Sequence, residues 1–456
     1  MSSITYHKNK KNGTVYAYSV ESYWDKEKKA PRNKQVCLGK VDPITKEIMP
    51  SKRKVKKEVE VIPDVSVTSR VAGPYLLLEK LTHFHKLDSL LKKCFPEDYL
   101  LVLSIVYYIV HKGGALFRSD SWSNSCLHPY EENITSQRIS ELLSRLSEDA
   151  RQQFLSLWLE YVQENDWLCY DITSVSSYAR NNEYTHFGYN RDGESLEQIN
   201  LAMLFGQQSK LPAYYRRLPG NIGDVSTLKT TSKSLDYLGA NNLHFVLDRG
   251  FYSKTNIDDL FARHHKFTIA LPIGRKWVEE ILENHRENIV SPRNYIMVGE
   301  DEALYTATET YSWGEKRHRG WVHIFYNSER AASEFDKLTK KLINSRLKLL
   351  GGTPLSEIEP NLQRYFIINE TPKRGLQVGF NDEEIEKYRK KYSGFFCIYS
   401  NKIKNAKEAL EIYRNKDVVE NCFDDLKNHL DMKRIRVHSS KNMDSRLFIQ
   451  FLALIY

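Results

Sequence analysis

The feature that most constrains the fold of this chain is a change of hydrophobic period at Trp167. Before it, from residue 73 to about residue 162, apolar side chains recur at helical spacing. After it, short β-branched and aromatic runs bounded by turn residues predict strands, and two longer segments predict helices. The expected strands cover residues 167–172, 196–205, 212–218, 243–247 and 267–271, and the expected helices cover residues 224–238 and 255–264.

The order of these elements, β-β-β-α-β-α-β, is that of a ribonuclease-H-like α/β fold, in which the first and fourth strands are parallel neighbours. Both of these strands carry an aspartate at or near their end, Asp171 in one and Asp248 in the other. Adjacent strands lie about 4.8 Å apart, so we expect the two carboxylates to lie close together. A carboxylate in an apolar strand is costly unless a cation or hydrogen-bond donors satisfy it.

Residues 413–427 supply the third element of the expected site. No glycine or proline lies between Ala406 and Leu430, so the sequence predicts one uninterrupted helix. A polar stripe borders its apolar face and consists of Tyr413, Lys416, Glu420, Asp424 and Lys427. One interpretation is an amphipathic helix in which Lys and Glu pair at i,i+4 spacing. The other brings Glu420 to the two aspartates, and three such carboxylates suit two Mg²⁺ ions, or Mn²⁺, in phosphoryl transfer.

Five segments are expected along the chain. They are a basic β-rich region at 1–62, a helical segment at 63–163 that is a candidate for DNA binding, the first part of the ribonuclease-H-like core at 164–275, a β-rich insertion with a Lys-rich helix at 276–400, and the second part of the core at 401–456. Within the first segment we expect strands at 13–20 and 34–39 and a linker or arm at 51–60. An apolar run that reaches Tyr456 suggests that the native C-terminus is missing.

Two helices on either side of Ser147 leave two interpretations open. Ser147 is expected to cap the second of them. The pair fits a helix-turn-helix that reads DNA, and it fits an ordinary helical hairpin at least as well.

Charge and cysteine content narrow the class of protein. The formal net charge is +9, and residues 1–60 contain 15 Lys and Arg against 7 Asp and Glu, which places +8 in this segment. That asymmetry favours a nucleic-acid partner, while a solvated basic arm has the same composition.

The six cysteines contain no C-x-x-C pair, which excludes a zinc signature or disulfide framework. No signal peptide opens the chain and the longest apolar run, 99–110, is too short to span a bilayer, so we expect a cytoplasmic protein.

Several motifs, taken in their order along the chain, resemble those of bacterial DDE transposases. The helix fits the pattern Y-x2-R-x3-E-x6-K, the YREK signature of the insertion-sequence-four superfamily, with Lys416 in the Arg position. The other matching motifs are Tyr170-Asp-Ile-Thr-Ser, Gly188-Tyr-Asn-Arg-Asp-Gly, Leu218-Pro-Gly-Asn-Ile-Gly-Asp and Leu247-Asp-Arg-Gly-Phe-Tyr. The opening motifs resemble its branch sixteen-thirty-four and are Gly13-Thr-Val-Tyr, Tyr23-Trp-Asp-Lys and Leu38-Gly-Lys-Val-Asp.

The resemblance implies a metal-binding catalytic triad of Asp171, Asp248 and Glu420. It also implies that three further side chains hold DNA phosphates: Tyr413, Lys416 and Lys427. The implied activity is nicking at the terminal inverted repeats of an insertion sequence, followed by attack of the freed 3′-hydroxyl on target DNA. Two subunits would bridge two ends, in association with the bacterial nucleoid.

Lys416 departs from the family pattern, because Lys keeps the charge of Arg but lacks its planar bidentate fork. Two other functions remain open. One is a transposase-derived DNA-binding protein that no longer cleaves, and the other is a ribonuclease-H-like nuclease that acts on junctions or RNA.

Overall fold

The computed structural model describes residues 2–26, 28–50, 68–163, 166–179, 182–240, 242–299, 302–372, 375–437 and 439–456. The chain divides into two compact units, Met1–Thr68 and Ser69–Tyr456.

The first unit is an antiparallel sheet in the order β1-β2-β3-β4. Its strands are β1 (Ser2–Lys8), β2 (Val15–Asp25), β3 (Ala30–Val41) and β4 (Ile48–Pro50). The two strands expected from sequence fall largely within β2 and β3, whereas β1 and β4 had no clear pattern. Ala17 and Val20 are the buried apolar side chains of its described part, so most of this sheet faces solvent. The expected linker at 51–60 lies outside the described residues.

Six helices open the second unit, in agreement with the helical period of this segment. They are α1 (Gly73–Phe84), α2 (Leu87–Cys94), α3 (Tyr99–Lys112), α4 (Ser119–Ser125), α5 (Ser136–Arg145) and α6 (Glu148–Gln163). The longest apolar run becomes α3, which is buried along most of its length. The Ser147 hydroxyl accepts a hydrogen bond from the backbone N–H of Ala150 at 3.3 Å, as expected of a residue that caps α6.

A ten-stranded mixed sheet occupies the centre of the second unit. Its first strands and their helices are β5 (Leu168–Ser177), β6 (Gln198–Gly206), β7 (Pro212–Pro219), α7 (Asp224–Tyr237), β8 (His244–Leu247), α8 (Lys254–Ala262) and β9 (Lys266–Leu271). β5, β8 and β9 are parallel, and β6 and β7 continue antiparallel on the other side of β5. The order β7-β6-β5-β8-β9 is that of a ribonuclease-H-like core, so the expected fold class is confirmed.

Strands of the insertion extend this same sheet. The insertion contains α9 (Lys276–Arg286), β10 (Tyr295–Val298), β11 (Glu302–Trp313), β12 (His318–Tyr326), α10 (Ser328–Leu350), α11 (Pro360–Gln363), β13 (Phe366–Thr371), β14 (Gly375–Phe380), α12 (Asp382–Lys391) and β15 (Phe395–Ser400). β15 pairs with β9, and β12, β11 and β10 follow outward. β13 and β14 form a separate hairpin that shares a small apolar core with α10.

The helix expected to run without interruption from residue 406 to 430 is divided. The structure has α13 (Ala406–Arg414), α14 (Asp417–Asp424) and a π-helical turn at Asp425–His429. At the break the backbone bonds span three residues, from the N–H of Lys416 to the carbonyl of Tyr413 and from Val419 to Lys416. The side-chain amide of Gln207, which directly follows β6, donates to the Ile412 carbonyl at 2.6 Å. A tertiary hydrogen bond thus satisfies a carbonyl at the break, which requires neither Gly nor Pro.

The chain ends in β16 (Arg434–Ile435), which pairs with β5, and in α15 (Ser440–Ala453). α15 packs against α3 and α5, and α6 packs against β7, where the Trp158 indole donates to the Pro212 carbonyl at 2.7 Å. α5 and α6 both pack apolar side chains into this core, as the helices of a hairpin or of a helix-turn-helix do.

In the described ranges, no single helix is both long and apolar enough to cross a membrane. The segments Tyr99–Lys112 and Leu116–Ser125 pass that test only as a pair, with a bend of 100° between them.

Candidate functional site

Asp171 and Asp248 meet at the junction of two parallel strands. The register of β5 and β8 sets Tyr170 opposite Leu247, so the next residue of each chain segment is one of the two aspartates. Asp248 directly follows β8, where a short 3₁₀ turn begins. Its Oδ1 accepts a hydrogen bond of 2.7 Å from the phenol of Tyr413 on α13.

The environment of Asp171 disfavours its charge. Burial, and to a smaller extent the negative charge of Asp248, raises the pKa of this carboxyl to about 6. A hydrogen bond from the backbone N–H of Ile172 and the charges of Arg191 and Lys416 act in the opposite direction without cancelling the shift. A carboxylate in this position therefore gains from an additional nearby cation.

Lys416 is the cation nearest to the third carboxylate. Its Nζ lies 2.7 Å from Oε1 of Glu420, one helical turn further on. Burial by itself lowers the pKa of Lys416, but the hydrogen bond to Glu420 and the charges of Asp248 and Asp171 raise it. The ammonium group thus experiences all three predicted carboxylates and neutralises part of their mutual repulsion.

The three carboxylates do not form a ready-made cation site. In the part of the chain that the structure describes, no three His, Cys, Asp or Glu side chains lie close enough to hold a metal ion. Asp171 and Asp248 are adjacent, while Glu420 is bound to Lys416 and its side chain is 57% exposed. Binding one metal ion with all three would require Glu420 to move toward the two aspartates.

Lys427 lies in a different contact. Its Nζ binds both oxygens of Asp192, at 2.9 and 2.8 Å, and only 10% of its side chain is exposed. Asp192 belongs to the turn at 188–193, which the sequence presents as a surface turn. Of the sequence-predicted site residues, Tyr413 therefore contacts Asp248 and Lys416 contacts Glu420, whereas Lys427 is paired with this turn.

The same turn contributes a residue that the sequence analysis did not single out. Arg191 donates to Asp224 at 2.9 Å, its backbone N–H donates to the hydroxyl of Ser174 at 2.8 Å, and its charge lowers the pKa of Asp171. The N-cap of α7 is Gly223, and the side chain of Asp224, the first residue of this helix, binds Arg191. Arg191 lies inside the quoted motif that begins at Gly188. Its position between the motif carboxylates Asp171 and Asp224 is the signal that could have identified it.

A cavity of about 770 Å³ borders the site. Asp248 and Tyr413 are part of its lining, together with the ends of β9 and β15 and side chains from α10, α11 and α12. Five cations line it, Arg249, Arg330, Lys337, Lys341 and Arg364, and so do the rings of Tyr365, Tyr388 and Tyr392. Cations and aromatic rings are the side chains that bind phosphates and nucleobases. The Lys-rich pattern of α10 was visible in the sequence, but its position beside Asp248 was not.

Comparison with known proteins gives one family match. Residues 166–456 match the family model described as a transposase DDE domain. Among solved structures, the chain is similar to the piggyBac transposase in a cryo-EM structure of its synaptic complex with hairpin DNA, with 10% sequence identity and a TM-score of 0.39. That similarity covers 78% of this chain and 65% of the piggyBac chain, so this chain spans about two thirds of the other's length. No curated protein matches the chain.

Proposed function

The chain belongs to the transposase DDE domain family, and from this premise we propose that it is an active DNA transposase of an insertion sequence. The family is one of enzymes that cut and join DNA and generally use divalent metal ions. We propose that this member binds the terminal inverted repeats of its element, cleaves the ends by hydrolysis and joins them to target DNA. The YREK signature and the opening motifs support a place in the insertion-sequence-four superfamily, in the branch sixteen-thirty-four.

One observation carries the proposal. Asp171 and Asp248 follow paired residues of two parallel strands, and the segment that supplies Glu420 reaches them, since Tyr413 donates to Asp248 at 2.7 Å and Lys416, three residues later, binds Glu420 at 2.7 Å. An ordinary amphipathic helix would account for the pair between Lys416 and Glu420, but not for the two strand aspartates beside it. Acidic side chains that share one site are expensive unless a cation is part of their function.

The donor set suits Mg²⁺, or Mn²⁺ in its place, because Asp171, Asp248 and Glu420 offer only carboxylate oxygens. The raised pKa of Asp171 agrees with a site that lacks its full complement of positive charge. We propose that these three residues would hold two metal ions, which supply activation of a water or a 3′-hydroxyl and stabilise the leaving oxygen. The chain's own side chains would position the carboxylates and bind the DNA.

Tyr413 holds Asp248 in position through its 2.7 Å hydrogen bond, and Lys416 is free to bind a DNA phosphate once Glu420 has turned to the aspartates. The basic and aromatic cavity beside Asp248 fits the DNA strand next to the scissile bond. We also propose that two subunits bridge two DNA ends and that the protein works in the bacterial cytoplasm at the nucleoid.

One observation favours a second candidate, a DNA-binding protein that does not cleave. Glu420 is bound to Lys416 at 2.7 Å and is not adjacent to the aspartates as a third metal ligand. If this pair persists on DNA, the protein binds ends without cutting them.

Cleavage of a labelled duplex from the ends of the element that encodes this chain tests the proposal. With Mg²⁺ the parent should nick at the element boundary, and Asp171→Asn and Glu420→Gln should bind DNA but lose cleavage by roughly a hundredfold or more. Asp258→Asn, which removes a carboxylate paired with Lys254 on α8, is the matched control and should cleave normally.

Nicking by the two variants at the parent's rate would refute the assigned triad. Binding by the parent without a nick, even in Mn²⁺, would favour the protein that does not cleave. Cleavage of junctions or RNA without cleavage of the ends would favour the nuclease.

A further inference from the structure

In the described part of the N-terminal sheet, the hairpin of β2 and β3 projects beyond β1 and β4. Among these residues, β1 pairs with β2 between Val15 and Glu21, and β4 pairs with β3 between Gly39 and Val41. The distal parts of both strands, residues 22–25 and 30–33, pair with each other. Four residues per strand at about 3.3 Å each give a two-stranded ribbon that extends roughly 13 Å past the sheet.

The projecting ribbon, defined here as residues 22–26 with 28–33, is basic and open to solvent. Its cations are Lys26, Lys28, Lys29 and Arg32, all of them exposed, and Lys34 follows on β3. Asp25 is its one acidic residue among the described positions and lies 3.5 Å from Arg32. Like charges gathered at the tip of a hairpin repel one another, so they do not stabilise this fold by themselves.

Side chains suited to contact with another molecule lie on the same ribbon. Tyr23 and Trp24 are 50% and 62% exposed, although aromatic side chains of this size are usually well buried. Ser22 and Asn33 face each other across the strands at 2.7 Å and offer polar groups beside these rings. The aromatic and polar groups do not contribute to a core, because the buried apolar side chains of the described sheet are Ala17 and Val20.

We infer that this ribbon lies in the major groove of duplex DNA and that its lysines bind the flanking phosphates. The major groove of B-DNA is about 12 Å wide and 8.5 Å deep and admits a two-stranded β-ribbon, which the projecting ribbon matches in length. Its positive charge complements the phosphate backbone on both sides of the groove. The inference deepens the proposed function and rests on it for the identity of the partner as the DNA ends of the element. It assigns end binding to the sheet, and not to the helices at 73–163.

Fluorescence anisotropy of the full chain on a labelled end duplex, over a series of salt concentrations, tests the inference. Lys26→Gln/Lys28→Gln should weaken binding about tenfold at moderate salt and lower the slope of log K against log salt by about 2. The control is Lys10→Gln/Lys11→Gln, which removes the same charge from the turn between β1 and β2, at the opposite end of the hairpin. It should bind like the parent, and Lys26→Arg/Lys28→Arg should restore full affinity.

Equal loss of affinity in both Gln double variants would show a general charge effect and would overturn the inference, as would parental binding by the ribbon variant. An RNA duplex of the same sequence supplies a second test, because the deep, narrow major groove of A-form RNA excludes a ribbon. Equal affinity of the parent for RNA and DNA duplexes would also overturn groove binding.

A nicking assay on the same samples separates this inference from the proposed function. If the parent nicks its ends and the ribbon variant binds like the parent, the inference fails alone. If the ribbon variant loses binding and the parent never nicks, the proposed cleavage fails alone.

Discussion

The phenol of Tyr413 donates a hydrogen bond of 2.7 Å to Oδ1 of Asp248. The family resemblance assigns this tyrosine to a DNA phosphate, whereas the structure directs its hydroxyl to a predicted metal-binding carboxylate. Burial raises the pKa of Tyr413, and the charge of Asp248 raises it further, so the phenol keeps its proton and remains a donor at neutral pH. We therefore propose that Tyr413 is a positioning residue for Asp248.

Replacing Tyr413 by Phe should weaken Mg²⁺ binding and slow nicking by about tenfold, because a hydrogen bond to a charged group contributes about 1.5–3 kcal/mol. DNA affinity in EDTA should stay unchanged. The measurement is nicking rate against Mg²⁺ concentration, with Tyr326→Phe on β12 as the control. A loss of DNA affinity in EDTA with normal Mg²⁺ dependence would instead support the phosphate role.

Lys416→Gln should weaken binding to end DNA about fivefold and lower the salt slope by about 1, because one phosphate contact is lost. The same helix region offers a matched control in Lys407→Gln, which removes an exposed lysine of α13. Anisotropy titrations at several salt concentrations provide both numbers. An unchanged slope for Lys416→Gln would restrict Lys416 to its ion pair with Glu420.

Asp171→Asn should stabilise the metal-free protein at pH 8. Since the folded-state pKa of Asp171 is about 6 and its ordinary value is 3.8, the charged form is disfavoured in the folded protein. The resulting penalty is absent below pH 3.8, grows between pH 3.8 and about 6, and is complete above that range. It amounts to about 3 kcal/mol at most. Thermal unfolding in EDTA should therefore give a variant Tm above the parental Tm at pH 8, with the difference almost gone at pH 4.

Asp258→Asn provides the control of opposite sign. Burial opposes the charge of Asp258, but hydrogen bonds from Lys254 and Trp313 outweigh it and lower the pKa of this carboxyl. Its contribution to stability is present above its ordinary pKa of 3.8 and is lost as the pH falls through the lower folded-state value. This variant should thus be less stable than the parent at pH 8. A lower Tm for Asp171→Asn at pH 8 would contradict the assigned environment of Asp171.

Lys427→Ala should destabilise the protein by roughly 2 kcal/mol, because it leaves Asp192 without its largely buried cation. Asp192→Ala should cost a similar amount, and the double variant less than the sum of the two. Denaturant unfolding of the three variants measures this coupling. If the two single destabilisations add fully in the double variant, and Lys427→Ala also lowers the salt slope of DNA binding, the results would support the phosphate-binding role of Lys427.

The sequence by itself determined the elements of the core and the carriers of the expected chemistry. Its change of period at Trp167 marked the strands that became β5 to β9, because alternation and apolar runs are local properties of a strand. Asp171 and Asp248 could be placed side by side because the order of elements is that of the ribonuclease-H-like fold, in which their strands are parallel neighbours.

The tertiary structure decided what depends on residues far apart in the chain. β15 lies between β9 and β12, so the insertion continues the core sheet, and no local pattern encodes which edge a strand joins. At the break before α14, Gln207, two hundred and five positions earlier in the chain, donates to a backbone carbonyl. Because this partner is distant and the segment itself has no Gly or Pro, the sequence predicted one continuous helix. The partner of Lys427, Asp192, lies 235 positions away, and composition cannot choose among 58 acidic residues. Periodicity thus fixed which segments form strands and helices, whereas partner choice among distant polar groups required the folded chain, since it depends on packing that no single segment contains.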